Sequence, residues 1–462
     1  MKSRTSSFKT ILRKDILRFA PLWALYLIGG IMILFSRAES GANATMRNLT
    51  WLVELYSVIN LIYAALVAQL LFGDLFNSRM CNALHAMPMR RETWFFSHVI
   101  SGLCFSLVPN VIMTLAMLPM LGEYWFIGFV WLLGATLEYL CFFGIAVFSV
   151  FCTGNRFAMV AVYGVLNFFS LILLWFIRNI YQPLLYGFAV TEETFQIVSP
   201  VLKMMNTRWI ETVVDYKARP YTMIDVYITQ EWWYLAAYGA VGAVLLGAGL
   251  LLYRRRKLEC AGNFMAVKPL APVFSVVFAL FVGALFAMFG YNSNGTENYL
   301  HMIFLGVGFV VGYFSGQMLL QRTVKVFKPM AFAKLAVLIV TIFASIGLTL
   351  WDPLGFEEWV PEADEVQSVT LLGDAAIWDR RGNLIEIQDQ EMIENIIDLH
   401  KMALRNGEYD GSRYSSHVDI DITYTMKDGR TVKRMYDTYY DGTREEYEDL
   451  IWEYIRIAVS AQ

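Results

Sequence analysis

One carboxyl group lies in the middle of an otherwise apolar run. Glu138 stands within WLLGATLEYLCFFGIAVF, where an ionisable side chain would cost a few kcal/mol or more if it faced lipid. Such groups usually face a bundle interior or a wet cavity, so Glu138 is a candidate for a translocation pathway or a gate. The alternative is a protonated carboxyl group that is hydrogen-bonded to a neighbouring helix and has only a structural role.

A second candidate of the same kind is Asn110, which follows Pro109 in SLVPNVIM. Proline removes one hydrogen bond from a helix and frees a carbonyl group. An asparagine amide can satisfy that carbonyl inside a membrane. We therefore treat Asn110 as a further pathway or gating candidate, supported by a weaker pattern than Glu138.

The sequence shows no pattern typical of metal binding, of disulfide formation or of ATP binding. The five histidines show no metal-ligand spacing, and each is expected to be a polar surface or interfacial residue: His85, His98, His301, His400 and His417. The five cysteines lie in or beside apolar runs and form no CxxC pair. No G-x-x-x-x-G-K-[ST] sequence occurs, so the chain is not expected to bind ATP phosphates by itself. We expect no catalytic residue, metal site or cofactor site.

The composition indicates an α-helical polytopic membrane protein. The chain is 57% hydrophobic and 17% charged, whereas a soluble domain has roughly 45–50% apolar and about 25% charged residues. Runs of about 20 apolar residues match the roughly 30 Å hydrocarbon core. We expect nine transmembrane helices, at about 19–36, 52–74, 96–120, 125–150, 157–177, 233–253, 271–290, 301–320 and 333–351.

The basic residues predict the orientation of these spans. The N-terminal MKSRTSSFKTILRKDILR, the stretch RMCNALHAMPMRR, the turn at Arg156, YRRRKLE and QRTVKVFK all fall on one side of the alternation. Cytoplasmic loops carry the excess of Lys and Arg, so this side should be the cytoplasm. An odd number of spans then places the N-terminus inside the cell and the C-terminal region outside it.

The charge divides the chain into two parts. Residues 352–462 hold 25 acidic and 11 basic residues, a net charge of −14, whereas the first 351 hold 15 and 26, a net charge of +11. The tail reads as a small α+β domain: LIEIQ alternates like a strand, and a helix with N-cap Asp389 carries Ile393, Ile396, Ile397 and Leu404 on one stripe. Asp428-Gly429 predicts a hairpin, and REEYEDLIWEYIRIAV predicts a last helix.

The segment 178–232 is too polar to span a membrane, yet its apolar residues recur at helical spacing. We expect one or two short helices at the outer interface, with Trp209, Trp232 and Trp233 as anchors. An ordered outer loop without a direct role is the alternative.

A short amphipathic helix is predicted between the second and third spans. Its apolar positions are Phe76, Met80, Ala83 and Met87, and Pro88 ends it. The polar side holds Asn77, Ser78, Cys81, Asn82 and His85, and Arg79, Arg90 and Arg91 add positive charge. It either joins two spans at the lipid surface or presents its polar face to a cytoplasmic partner.

Over residues 1–253 this order of elements resembles the permease subunits of ABC-2 type transporters. The resemblance rests on the basic N-terminal helix, on LFGDLFNSRMCNALHAMPMRRETWFFSH after the second span, and on LHAMPMRR, which fits a Leu-x-x-x-Pro-x-x-Arg pattern. It implies that the short helix is a coupling helix seated in an ATPase subunit. That interface would hold Asn77, Ser78, Arg79, Asn82, His85, Pro88, Arg90 and Arg91.

The rest of the chain departs from a six-span permease. Residues 254–351 would add three transmembrane helices, and residues 352–462 an acidic extracytoplasmic domain, which is similar to extended permeases of Gram-positive bacteria. The resemblance implies a bacterial cell membrane, a separate ATPase that binds ATP and Mg²⁺, a second permease copy or homologue, and export of a hydrophobic or amphipathic compound such as a peptide antibiotic or a lipid. No nucleic-acid partner is expected.

Two other functions remain open. The chain could be a membrane-anchored sensor or assembly scaffold whose acidic outer domain binds a ligand. A membrane-bound enzyme is the third possibility, and the lack of a catalytic cluster argues against it.

Overall fold

The computed structural model describes residues 2–35, 42–86, 89–190, 198–206, 210–215, 222–229, 231–290, 300–373, 384–406 and 416–440. Within these ranges the chain is mostly helical, with a small region of antiparallel sheet. The helices are α1 (Lys2–Arg18), α2 (Ala20–Leu34), α3 (Ala42–Leu71), α4 (Ser78–Ala86), α5 (Arg91–Leu121), α6 (Trp125–Cys152), α7 (Arg156–Phe176), α8 (Pro200–Asn206), α9 (Trp232–Arg255), α10 (Leu270–Gly290), α11 (Leu300–Gln321), α12 (Pro329–Trp351) and α13 (Gln390–Asn406).

Six helices in the described part of the chain are long and apolar enough to cross a membrane: Arg91–Cys152, Arg156–Leu184, Trp232–Arg255, Leu270–Gly290, Leu300–Gln321 and Pro329–Trp351. The number becomes seven if Phe8–Arg18 and Ala20–Leu34, which meet at 57°, form one bent span. The membrane class of the fold is therefore supported. The count of nine spans is not confirmed.

The longest of the six runs is folded back on itself. A 3₁₀ turn at Gly122–Tyr124 separates α5 from α6, and Gly122 has a φ of 56°. Gly128 of α6 lies against the side chains of Leu118 and Leu121 near the end of α5. The 62-residue run thus forms a hairpin of two antiparallel helices.

Small residues allow α6 and α9 to cross at close range. A Cβ atom at Gly144 of α6 would collide with the backbone of Gly242 in α9, and a Cβ at Gly242 would collide with the backbone at Leu140. Glycines allow such close backbone approach between membrane helices. α6 is consequently buried on most sides, and this holds Glu138 inside the bundle.

The chain divides into two compact units. One holds Met1–Ile172 and Phe195–Lys328, and the other holds Leu173–Thr194 and Pro329–Gln462. The second unit therefore includes α12 and the segment after α7 together with the acidic tail. The expected boundaries at residues 253 and 351 stay predictions.

The acidic tail contains the expected α+β elements in its described part. A five-stranded antiparallel sheet has the order β1-β7-β6-β4-β5. Its strands are β1 (Gly187–Phe188), β4 (Val366–Gly373), β5 (Glu386–Ile387), β6 (Ser416–Met426) and β7 (Thr431–Tyr440). The predicted hairpin joins β6 and β7, and Gly429 there has a φ of 84°. β4 was not predicted, and the last helix, 444–459, lies outside the described residues.

α13 covers one face of this sheet as its apolar stripe predicts. Asp389 caps it, because its carboxylate accepts the Met392 N–H at 3.1 Å. Ile393, Ile396 and Ile397 are buried. They share a core with Val369, Leu371, Ile420 and Ile422, so the tail forms a packed core of its own.

The segment 178–232 contains more β-structure than expected. Among the described residues of this segment α8 is a helix of the predicted kind, whereas β2 (Ile210–Asp215) pairs with β3 (Thr222–Ile228) as a hairpin. Their Val and Ile residues favour strands, a signal that the helical spacing masked. Trp232 and Trp233 are about half exposed at the start of α9, and Trp209 lies outside the described residues.

The core of the sheet domain contains an unexpected histidine. His400 of α13 is fully buried, and its Nδ1 lies 3.0 Å from the Tyr424 hydroxyl, while its Nε2 pairs with the Tyr436 hydroxyl. Burial, reinforced by the nearby Arg434 guanidinium, lowers the pKa of His400 to about 3. The expected surface position for His400 was wrong, because its neutral ring fits between two tyrosines.

This burial predicts an acid-sensitive sheet domain. The folded-state pKa of His400 lies below its unfolded value near 6.5, so the unfolded state binds the proton first and stability falls as the pH drops below about 6.5. We expect a loss of about 2 kcal/mol between pH 7 and pH 5. The measurement is the urea concentration at which β6 peptides of the full-length protein lose hydrogen-exchange protection. His400→Gln should remove this part of the pH dependence, and an unchanged pH profile in that variant would contradict the assignment.

Candidate functional site

Glu138 lies inside the bundle and accepts hydrogen bonds at both carboxylate oxygens. Its exposed fraction is 3%. The Ser57 hydroxyl donates to Oε1, and the Asn60 amide donates to Oε2 at 2.9 Å. Both donors come from α3, one turn apart, so α3 and α6 are joined by a single buried carboxyl group. A hydroxyl can donate or accept, so this site can hold the carboxyl group in either protonation state.

The hydrogen bonds continue from Glu138 to Asn110. The Tyr26 hydroxyl of α2 donates to Asn60 Oδ1 at 2.8 Å and lies 3.5 Å from Ser106 Oγ. Asn110 donates to Ser106 Oγ at 3.2 Å and accepts from the Tyr56 hydroxyl at 3.2 Å. The two candidates predicted from separate spans thus belong to one buried polar network that joins α2, α3, α5 and α6.

Asn110 does not satisfy the carbonyl that Pro109 frees. That carbonyl belongs to Phe105, four residues earlier, and the Tyr63 hydroxyl of α3 donates to it at 3.0 Å. The Asn110 side chain points into the polar network instead. The predicted partner was therefore wrong, because a tyrosine from a neighbouring helix reaches the freed group.

Aromatic rings surround the network. Tyr26 stacks on Tyr63 with ring centroids 4.2 Å apart, and the Tyr26 ring also lies 5.5 Å from Tyr56. Tyr56 contacts Trp131 edge to face at 5.3 Å. These rings exclude bulk solvent from the hydrogen bonds, and polar bonds are stronger in such an environment.

A second buried cluster joins α1 to α5. Asp15 and His98 are 5% and 6% exposed, and His98 Nδ1 lies 2.7 Å from Asp15 Oδ2. The Ser101 hydroxyl donates to the same oxygen at 3.0 Å. Because Ser101 bonds to Asp15 and not to His98, this cluster has no activated nucleophile of the Ser–His type. Its geometry attaches the N-terminal helix to the bundle.

Neither residue was a candidate from the sequence. Asp15 lies in a strongly basic helix, and the expected surface or interfacial position for His98 was wrong. The available signal was the spacing of Ser97, His98 and Ser101, which places polar groups on one face of an apolar helix.

The predicted short helix exists as α4. Asn77 begins it, since Asn77 Oδ1 accepts the Arg79 N–H at 2.9 Å. The side chains of Asn77, Ser78, Arg79 and Asn82 are exposed. His85 lies in α4, but its side chain is outside the described part of the structure, and Pro88 is outside the described residues.

One residue of α4 departs from the predicted faces. Cys81 was placed on the polar side and is 2% exposed, whereas Met80 of the apolar side is 48% exposed. Ala83 is also exposed. A thiol packs as a small apolar group, so Cys81 turns toward the core and the outer surface of α4 is of mixed polarity.

Arg91 follows α4 and is occupied by backbone groups. Its Nη1 donates to the carbonyl oxygens of Tyr253, Arg254 and Arg256 at 3.3, 3.1 and 3.3 Å. The last carbonyls of a helix lack intrahelical partners. Arg91 therefore caps the C-terminus of α9 and fixes the start of α5 beside it.

Arg256 also bonds to backbone carbonyl groups of neighbouring elements. Its guanidinium donates to the Val150 carbonyl near the end of α6 at 3.0 Å, and to the Leu75 carbonyl just before α4 at 3.4 Å. Arg91 and Arg256 together connect α4, α5, α6 and α9 at one end of the bundle. We call these two residues the arginine staple.

A concave basic surface lies beside the staple. Arg90, Arg91, Glu92, Thr93 and Arg254 line a cavity of about 890 Å³. Arg254 pairs with Glu92 at 3.1 Å, and both side chains are substantially exposed. This surface carries three guanidinium groups against one carboxylate, so it favours acidic partners.

Among the residues that the structure describes, no group of three His, Cys, Asp or Glu side chains could hold a metal ion. The chain matches no protein-family model, no curated protein and no solved structure. The resemblance to ABC-2 permeases therefore has no support from relatives.

Removing the Glu138 carboxyl group should destabilise the bundle. Glu138→Leu leaves the Ser57 and Asn60 donors buried without an acceptor, and each such group costs about 1–3 kcal/mol. Glu138→Gln keeps an acceptor oxygen and should cost less. The measurement is the melting temperature of the purified protein in detergent, with Glu123→Leu as the control because Glu123 is exposed at the α5–α6 turn. Equal melting temperatures for Glu138→Leu and Glu123→Leu would contradict this role.

Breaking the arginine staple should loosen α4 without unfolding the bundle. Arg256→Gln cannot reach both the Val150 and Leu75 carbonyls, so the backbone before α4 loses one anchor. We expect hydrogen exchange in residues 75–86 to accelerate about tenfold, as one lost bond of this type implies. Arg255→Gln, at an exposed neighbour, is the matched control. Equal exchange in the two variants would refute the staple.

Proposed function

We propose that this chain is the permease subunit of an ATP-driven transporter of the ABC-2 type. The observation that carries the proposal is α4, a nine-residue helix with an exposed polar side that lies between two apolar helices. A separate ATPase subunit would bind this side through Asn77, Ser78, Arg79 and Asn82. ATP and Mg²⁺ would be bound by that subunit.

The arginine staple gives α4 a mechanical connection to the spans. Arg256 bonds to the segment before α4 and to the end of α6, and Arg91 bonds the start of α5 to the end of α9. A displacement of α4 by a partner would therefore move the ends of three spans together. The basic cavity at Arg90, Arg91 and Arg254 adds an electrostatic attraction for acidic groups on the ATPase.

Nine transmembrane helices remain our proposed count. α5 and α6 would count separately, the bent pair α1–α2 would form one span, and the apolar part of α3, Leu55–Leu71, would form another. The basic residues near α4 and after α9 support a cytoplasmic position for these ends in a bacterial cell. The acidic domain would then lie outside the cell membrane.

The transported compound would be hydrophobic or amphipathic, such as a peptide antibiotic or a lipid. Glu138 and Asn110 would act at the transport pathway through the network that joins four helices, because a rearrangement of these helices must exchange their shared hydrogen bonds. A second permease copy or a homologue would complete the pathway.

One observation favours the alternative of a membrane-anchored sensor or scaffold. β1, which follows the end of α7, pairs with β7 at the edge of the sheet domain. Gly187 of β1 has a φ of 78°, and a Cβ there would collide with the Tyr436 ring. A ligand that changes the sheet could therefore act on the chain that continues from α7.

Co-purification of an ATPase tests the leading proposal. A tagged chain isolated from its own membranes in mild detergent should bring with it a protein that has a phosphate-binding loop and hydrolyses ATP. Arg79→Glu together with Asn82→Glu should reduce that ATPase at least tenfold, because two acidic groups would oppose the docking surface.

The control is Lys325→Glu, which reverses an exposed basic charge in the loop between α11 and α12. It should leave the recovered ATPase unchanged, and all variants should reach the membrane in equal amounts. An isolated chain with no ATPase would favour the sensor or scaffold. Undiminished recovery in the α4 variant would rule out α4 as the docking helix.

A further inference from the structure

A small cavity lies where α7 ends and the edge of the sheet begins. It has a volume of about 330 Å³ and is lined by eight residues between Arg178 and Phe188 and by Met435 of β7. All of these residues belong to the second compact unit. The volume falls at the lower end of the range for small-molecule sites.

The position of this cavity along the bilayer normal follows from the length of α7. Residues 157–177 contain no charged side chain, and Arg156 and Arg178 flank them. Twenty-one helical residues rise about 32 Å, which matches the roughly 30 Å hydrocarbon core. Arg178 therefore lies at the level of the lipid phosphates, whichever side of the membrane this is.

The backbone changes form at this point. α7 continues into a π-helical turn, Ile177–Tyr181, and then a 3₁₀ turn, Gln182–Leu184. π-helical turns are rare and frequently occur at functional sites. The Asn179 amide donates to the Trp175 carbonyl at 2.8 Å, which satisfies one of the groups that the altered hydrogen bonding frees. The turns place Arg178 and Gln182 on the wall of the same cavity.

The cavity has a polar wall and an apolar wall. Arg178, Asn179 and Gln182 supply N–H groups, and Leu185, Phe188 and Met435 supply the apolar surface. The described lining residues include no acidic side chain. A guanidinium group with adjacent amides suits a phosphate oxygen.

We propose that this cavity binds the phosphodiester of a membrane phospholipid, with the phosphate at Arg178 and Gln182 and the start of an acyl chain against Leu185 and Met435. The site is independent of the proposed transport function, since it involves neither α4 nor the Glu138 network. It would attach the edge of the sheet domain to the lipid surface. A phospholipid is favoured over a soluble phosphate ester because the cavity begins at headgroup depth and offers an apolar wall.

Native mass spectrometry of the full-length protein in detergent tests this site. The probe is phosphatidylglycerol, titrated against the wild type, Arg178→Gln, Met435→Trp and the control Arg405→Gln, which changes an exposed arginine of α13 in the same unit. We expect one phospholipid to bind more tightly than the rest. Its affinity should fall about tenfold in Arg178→Gln, the effect of one lost charge-assisted hydrogen bond, and should be unchanged in Arg405→Gln.

Met435→Trp fills the cavity from the opposite wall and leaves Arg178 in place, so it decides the outcome if Arg178→Gln lowers the melting temperature. Diacylglycerol with the same acyl chains should not bind at this site, and neither should water-soluble glycerophosphoglycerol. Wild-type affinity for phosphatidylglycerol in both cavity variants would overturn the site. Equal binding of glycerophosphoglycerol would overturn the assignment to a lipid.

Discussion

A carboxyl group inside a membrane bundle needs hydrogen-bond partners, and Glu138 of α6 finds two of them on the neighbouring helix α3. Its oxygens accept from Ser57 and Asn60, and through Asn60 and Tyr26 the bonds reach α5. In hydrocarbon the alternative to these bonds is an unsatisfied polar group. Glu138 therefore joins α6 to α3, and the bonds of Tyr26 extend the connection to α2 and α5. The surrounding tyrosine rings then pack around a network whose geometry is already set.

Backbone carbonyl groups at the ends of helices provide the second constraint. Helix C-termini leave carbonyl groups without partners, and Arg91 and Arg256 satisfy several of them at the ends of α9 and α6. The same residues hold the chain on both sides of α4. A short helix that would be marginal alone is thereby attached to three long ones. This arrangement is what a coupling element would require.

The features that could be predicted from the sequence are those that depend on one residue or on a short local stretch of chain. Burial of Glu138 follows from the price of a charge in lipid, and the Asp389 cap and the Asp428-Gly429 hairpin follow from local backbone chemistry. Contacts between distant segments could not be read in this way. Ser57, Asn60 and Tyr26 look like ordinary polar residues of apolar helices, and their importance depends on which faces meet. The two-residue strand β1 has no signal in the sequence, because it is defined by its pairing with β7.

The errors have a common physical origin. Hydrophobic periodicity identifies the faces of a helix. It does not show which face packs against the protein core when the apolar and polar residues are similar in size. Thus Cys81 is buried although it was placed on the polar side of α4, and Tyr63 replaced Asn110 as the partner of the Phe105 carbonyl. His98 and His400 are buried because each has a polar partner that is remote in sequence, and periodicity does not reveal such a partner.

A double-mutant cycle between Glu138 and Asn60 measures the interaction on which the bundle depends. The free energy of unfolding in detergent would be compared for Glu138→Leu, Asn60→Leu and the double variant. A direct buried hydrogen bond predicts that the double variant is less destabilised than the sum of the single variants, by about 1–3 kcal/mol. Additive effects would show that the two side chains do not interact and would contradict the network.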